Sequence, residues 1–315
     1  MSPYSYDNSN ELNSQPGVTF SYDANGNLIS RADPNGTTTY TWDAENRLAS
    51  VTLPGTAGVV TYEYDPFGRR IEKVSPSGTT IYAYDGANVV EELDGGGMAV
   101  ARYAQGLGID EPLAMYRCGA SYYYNADGLG SITSLTNSSG QIAATYNYDS
   151  FGKLTASTGT VINPFRYTGR EYGSETGFYY YRARYYDSNV GRFISEDPIK
   201  FAARVNFYDY VGNNPTGCTD ADGMAFKDCL RALKDLARAT YELNKDLRNA
   251  RCPIDPGHQK ELRQRVRAAE KALQQAIKYC GPAAMAAAGV QAAKAAIEAA
   301  APYLFEALEV APAPL

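Results

Sequence analysis

A chain of 315 residues with 44% apolar content can bury more than one core, which excludes an extended or disordered polypeptide. The net charge of −6 conceals an asymmetry: residues 1–224 hold 15 Lys and Arg against 25 Asp and Glu, whereas residues 225–315 hold 14 against 10. No run of 18 uncharged apolar residues marks a membrane span and no charged-then-apolar leader follows Met1. Five scattered cysteines make neither a secreted disulfide framework nor a CxxC metal site.

Residues 1–17 read as a lead-in, and from residue 18 the chain repeats itself. An aromatic residue followed by Asp occurs at Tyr22-Asp23, Trp42-Asp43, Tyr64-Asp65 and Tyr84-Asp85, at steps of 20, 22 and 20 residues, and again at Tyr148-Asp149. Most of these stations carry Gly or Asn three places after the Asp. A fixed period of this kind signals a repeat architecture. The runs between stations, such as residues 37–42 and 60–64, are β-branched and aromatic and favour strands over helices. Asn25-Gly26 and Asn35-Gly36 suit turns that need positive φ. Each repeat is therefore predicted to be a hairpin. Side by side the hairpins make a long antiparallel sheet that coils, with its aromatic faces inward.

The pattern breaks at residues 177–224, GFYYYRARYYDSNVGRFISEDPIKFAARVNFYDYVGNNPTGCTDADGM. Of 27 Tyr, 24 precede residue 225, and the Ala-rich runs follow it. Two acids here, Asp197 and Asp220, stand near a turn-forming Pro or Gly amid a dense run of Arg and Tyr. The wording GREYGSETGFYYYRARYYDSNVGRFISEDPI, followed by NFYDYVGNNPTGCTDADGM, resembles the Rhs-repeat-associated core. That core is the self-cleaving end of the β-shell in Rhs polymorphic toxins and Tc-toxin C components. The stations upstream resemble the YD repeats of those shells and of the teneurin YD-shell, so the resemblance covers roughly residues 18–224. Family shells are longer, and so few repeats imply a truncated gene, a fragment or an orphan cassette of the tip.

Two carboxylates in a site shielded from water cannot easily both be charged, so they share a proton. One can then take a proton from water while the other gives one to the scissile amide. By motif position the resemblance assigns this role to Asp197 in SEDP and Asp220 in TDADG, with Arg184 in RARYYD as the fixed cation that orients a carboxylate or stabilises an oxyanion. It places the cut between Met224 and Ala225. The usual Asp-Pro-x-Gly-Leu stands here as Asp220-Ala221-Asp222-Gly223-Met224, where Met keeps an apolar anchor. The alternative reading makes both aspartates turn residues that accept backbone N–H bonds. Arg182, Arg192 and Glu196 read as salt-bridge partners.

Past Met224 the apolar period becomes that of helices. Phe226, Cys229, Leu230, Leu233, Ala237, Leu243 and Leu247 mark one face, and Leu262, Val266, Ala269, Leu273, Ile277 and Cys280 another. Asp255-Pro256 suits the start of the second helix. An antiparallel pair would bring Cys229 and Cys280 together at its open end, as a disulfide or as buried thiols. His258, the lone histidine, beside Asp255 and helped by Arg263, Arg265 and Arg267, would be a general base in a nuclease reading; otherwise it is a surface residue. The Ala-rich stretch 283–310 lies on a membrane, inserts as part of a bundle as a pore-forming tail would, or closes a small three-helix bundle. The tail shows no metal spacing, phosphate loop or nucleophile with its base, and no cofactor is expected.

The expected fold is thus mostly antiparallel β, a YD-repeat shell over 18–165 and a core over 166–224, followed by a separate all-α tail over 225–315. The resemblance implies an intramolecular aspartic autoprotease that frees the tail as a toxin. It also implies a delivery protein or secretion machinery, export from the cytoplasm without a Sec signal, and a cognate immunity protein. The competing class is a non-enzymatic interaction or adhesion module with a helical cap.

Overall fold

The computed structural model describes residues 4–198, 206–224, 227–249, 256–279, 294–295 and 297–298. Its chain divides into two compact units, Met1–Ala225 and Phe226–Leu315.

The stations build the first unit by local chemistry. In each of four of them the Asp Oδ1 accepts the backbone N–H of the residues two and four places on. Asp23 takes Asn25 and Asn27 at 2.9 Å, Asp43 takes Glu45 at 3.0 Å and Arg47 at 2.8 Å, and Asp65 takes Phe67 and Arg69 at 2.9 Å. Asp149 takes Phe151 at 2.9 Å and Lys153 at 3.0 Å. The residue between those two donors must turn left-handed, as Gly26 (φ 79°) and Asn46 (φ 59°) do. The same turn recurs without an aromatic neighbour at Asp94 and Asp127. The Tyr84-Asp85 station departs from the pattern, because Asp85 pairs directly with Asn88 in a tighter turn.

The aromatic half of each station does the longer-range work. Trp42 Nε1 donates to Leu28 O at 2.8 Å, Tyr64 Oη to Leu48 O at 2.8 Å, Tyr84 Oη to Arg70 O at 2.8 Å and Tyr148 Oη to Ile132 O at 2.9 Å. These acceptors are the first residues of β4 (Leu28–Asp33), β6 (Leu48–Thr52), β8 (Arg70–Ser75) and β14 (Ile132–Asn137). Each aromatic therefore ties its own hairpin to the previous one and satisfies a carbonyl where the ladder is interrupted by a turn.

The result is one sheet of sixteen antiparallel strands in strict sequence order, from β1 (Ser5–Tyr6) to β16 (Leu154–Thr158). Residues 5–15 of the lead-in already supply two of these strands. A second, four-stranded sheet holds β17 (Glu171–Gly173), β18 (Phe178–Tyr181), β19 (Arg184–Asp187) and β20 (Arg192–Phe193). Every residue of β18 and β19 is buried, the mark of strands covered on both faces. Leu12, Leu28, Tyr40, Leu48, Val51 and Val60 of the large sheet pack against Phe178, Tyr180, Tyr185 and Ile194.

Tyrosines reconcile that dense core with its polar backbone. Tyr180 Oη donates to Gly68 O at 3.2 Å, Tyr179 Oη to Gly152 O at 2.9 Å, Tyr186 Oη to Phe151 O at 2.8 Å and Tyr208 Oη to Gly26 O at 2.9 Å. The core segment thus caps the carbonyls of the station turns.

In the second unit, α1 (Lys227–Asn249) and α2 (Pro256–Tyr279) pack through Leu243, Leu262, Val266 and Ala269. One expectation is corrected: Leu236 is buried and Ala237 exposed. A leucine removes more apolar area from water than an alanine, so the packed stripe sits one residue earlier. No described helix is long and apolar enough to cross a membrane.

Candidate functional site

Tyr181 pairs with Arg184 across the two-residue turn that joins β18 to β19, and this sends the Arg184 side chain into the core. Only 2% of the residue is exposed. Its guanidinium stacks 3.6 Å from the Phe193 ring centroid and donates from Nη1 to Phe207 O at 2.8 Å. Asp197 follows β20 and is positioned by its own N–H, which donates to Phe207 O at 3.0 Å. Asp220 lies after the helical turn Val211–Asn213. Both acids are buried, at 1% and 4% exposure.

The three residues expected to act together meet in space. Arg184 Nη2 lies 2.9 Å from Asp197 Oδ2 and 3.4 Å from Asp220 Oδ2, so a single nitrogen bridges both carboxylates. The backbone leading to the expected cut is held from two sides: Met224 N–H donates to Asp220 Oδ1 at 3.0 Å, and Arg184 Nε donates to Gly223 O at 2.5 Å. The Gly223–Met224 peptide, one bond before the expected cut, is therefore fixed at both its oxygen and its nitrogen.

Burial pushes the Asp220 carboxyl up to about 7; Arg184 pulls it down, Asp197 pushes it up further and the Met224 N–H opposes the rise. Burial likewise draws the Arg184 guanidinium below its ordinary range, against the attraction of Asp220, Asp197 and Asp209. A buried acid that keeps its proton near neutrality is able to give that proton to a leaving group.

Ala225, Asp255 and Cys280 fall outside the described residues, as do the side chains of Cys229 and His258. Arg265 is engaged between the helices, with Nε 3.2 Å from Asp246 Oδ2 and Nη2 3.7 Å from Glu242 Oε2. Among the described residues no group of three or more His, Cys, Asp or Glu side chains is placed to hold a metal ion. Arg182 forms an ion pair, 2.7 Å from Asp110 Oδ1, and Arg192 lies 5.0 Å and 5.2 Å from the Tyr6 and Tyr208 ring centroids. Sequence reasoning missed Asp110, Glu171 and Arg70, whose partners lie about 60 to 100 residues away and leave no local pattern.

A family model described as the teneurin YD-shell matches residues 2–216. The chain belongs to the teneurin YD-shell family. The matched residues of this YD-shell include Arg184 and Asp197, whereas Asp220 and Met224 lie beyond position 216. The YD-shell is 37% identical over 224 residues to the tRNA3(Ser)-specific nuclease WapA of Bacillus spizizenii, a match covering 68% of this chain and 9% of that protein. Over 90 residues it is 42% identical to toxin subunit YenC2 of Yersinia entomophaga, covering 27% of this chain and 9% of the relative. The chain thus spans about a tenth of the length of these curated relatives. The crystal structure of TcdB2-TccC3-Cdc42 shares the fold, with a TM-score of 0.50 at 20% identity over 70% of this chain and 15% of the other. The chain is an Rhs/YD-shell protein with toxins among its relatives.

Proposed function

We propose that this YD-shell is the C-terminal part of an Rhs-type polymorphic toxin whose core cuts its own chain between Met224 and Ala225. The reading divides the chain into a shell over 18–165, a core over 166–224 and a released tail over 225–315. The observation that carries it is the single Arg184 nitrogen shared by two buried carboxylates, one of which also holds the Met224 amide.

In the proposed reaction Asp197, its charge held by Arg184, takes a proton from a water that attacks the Met224 carbonyl carbon. Asp220 gives its proton to the Ala225 nitrogen as the C–N bond breaks. The products are a Met224 carboxylate and a free amine on Ala225, and no cofactor enters the balance. The tail would then act in a recipient cell. Its partners would be a delivery protein or secretion machinery and a cognate immunity protein that neutralises it in the producer. Nuclease action and membrane contact are both open to a tail with basic helices.

Mass spectrometry of the purified chain tests the cut. A fragment beginning at Ala225 is expected. One beginning at Met224 would place the chemistry on the peptide that Arg184 and Asp220 hold, and a chain that stays whole at every pH would leave a binding module instead.

The rate should also depend on pH in a defined direction. Asp220 must keep its proton, so cutting should proceed below about pH 7 and slow about tenfold per unit above it. The same shift has a stability sign. The native state holds this proton more tightly than the unfolded one, so the contribution is fully present below the ordinary carboxylate range and is lost as pH rises through about 7. A rate that instead climbs steadily from pH 6 to 9 would remove Asp220 from the acid role.

A further inference from the structure

The turn that carries Arg184 into the core also grips the chain leading to the cut. Three successive carbonyls are each held by a donor from three successive residues. Arg182 Nη1 donates to Ala221 O, the Ala183 N–H donates to Asp222 O at 3.2 Å, and Arg184 Nε donates to Gly223 O at 2.5 Å. The approach is so close that only glycine fits at 223. A Cβ there would meet the Tyr181 carbonyl oxygen at 2.0 Å, and the φ of +65° is one that L side chains rarely adopt.

Arg182 differs from the other two donors in being anchored to the wall of the shell. Its Nη2 donates to Asp110 Oδ1 at 2.7 Å and to Ala87 O at 3.3 Å, and Nη1 reaches Asp110 Oδ2 at 3.3 Å. Asp110 lies between β11 (Ala99–Gln105) and β12 (Pro112–Arg117) of the large sheet. It also accepts from Arg170 Nη1 at 2.5 Å, and Arg170 in turn donates to Tyr180 O from Nε at 3.0 Å. Both members of the pair are in the left-handed region, Arg182 at φ 55° and Asp110 at φ 62°. Such backbone costs of order 1–3 kcal/mol per residue and persists where surrounding contacts impose it.

We infer that Asp110 and Arg182 are positioning residues for the cleavage proposed above, on which this inference rests. Together they fix the backbone of residues 221–223 to the shell, so that Asp220 and the Met224 peptide face Asp197. Arg182 acts through the Ala221 carbonyl and carries no proton in the reaction. Asp110 acts through Arg182, whose guanidinium it holds in the one place that reaches both shell and core. The cut would then depend on an intact wall near residues 87 and 110 as well as on the three residues at the centre.

The experiment uses the purified full-length chain. Arg182→Ala is expected to slow formation of the Ala225 fragment at least tenfold, leaving the pH at which the rate halves where it is in the wild type. Millimolar methylguanidine should restore part of the rate. It can enter a cavity of about 700 Å³ lined by Arg182, Ala183, Asp222 and Met224 among others. Asp110→Asn should slow cutting in the same way, and the double variant should be no slower than Arg182→Ala alone. Wild-type cutting by Arg182→Ala, or a slow variant that methylguanidine leaves unchanged, would overturn the inference. If the wild-type chain does not cut at all, the cleavage reading has failed by itself. Positioning is then read by hydrogen exchange in the Asp197→Asn background. Arg182→Ala should speed exchange of the Ala183 and Met224 amides at least tenfold, with those of Tyr179 and Tyr186 unchanged. Equal exchange with and without Arg182 would overturn it.

Discussion

Asp220→Asn is expected to leave the chain whole, with the rate of fragment formation down by roughly 10²–10⁴-fold, the range typical of a lost general acid or base. The substitution is chosen because it keeps shape. An Asn side chain retains an Oδ1 that can accept the Met224 N–H, a bond of 3.0 Å in the native chain, so the segment before the cut should stay in place. What it removes is the proton that burial holds on Asp220 up to about pH 7. Asp197→Asn should fail for the complementary reason, since a neutral amide beside Arg184 cannot take a proton from water. Arg184→Ala is a poorer probe. It would leave two carboxylates, both at least 96% buried, without the cation between them, and would lower stability as well as rate. Gel analysis of freshly purified chains over days decides the matter. An Asp220→Asn chain cut as fast as the wild type would end the aspartyl mechanism.

Glu171→Ala should destabilise the first unit by about 3–5 kcal/mol, the usual consequence of leaving one partner of a buried ion pair uncompensated. Glu171 Oε2 lies 2.6 Å from Arg70 Nη2, and the two side chains are only 7% and 6% exposed. The Arg70 guanidinium lies 4.6 Å from the Tyr82 ring centroid and 4.5 Å from that of Tyr180. Its backbone N–H donates to Tyr180 Oη at 3.0 Å, and its carbonyl accepts Tyr84 Oη at 2.8 Å. The pair therefore rivets β8 to β17 and β18 through a cage of tyrosines. Arg70→Met combined with Glu171→Leu should cost much less than either single loss, because no charge is left stranded. Urea denaturation in the uncut Asp197→Asn background measures all three. A Glu171→Ala chain within 1 kcal/mol of its parent would show that the pair is already hydrated in solution.

Part of this protein is written in local chemistry. An Asp that accepts two backbone N–H groups, with a left-handed Gly or Asn between them, closes the same turn wherever it occurs, so the Asp23, Asp43, Asp65 and Asp149 stations predict hairpins without any knowledge of their neighbours. The period of about 20 residues then orders the strands, and the shift to helical spacing past Met224 marks where sheet gives way to helix. Asp197, Asp220 and Arg184 could be picked out because their motifs resemble a known core.

Other features exist only once the sheet has folded round its core. The aromatics of four stations, Trp42, Tyr64, Tyr84 and Tyr148, reach carbonyls 14 to 16 residues back, and which carbonyl each meets depends on how one hairpin stacks on the last. Asp110 has no motif: it matters because the residue before β17 and the turn between β18 and β19 bring Arg170 and Arg182 to it from 60 and 72 residues away. The rise of Asp220 to about 7 is likewise absent from the sequence, since desolvation is its largest cause and burial is a property of the assembled core. Hydrogen-bonded turns need only a few adjacent residues and so are determined by sequence alone. Charge pairing and proton affinity depend on which distant groups share a volume without water, and only the tertiary structure decides that.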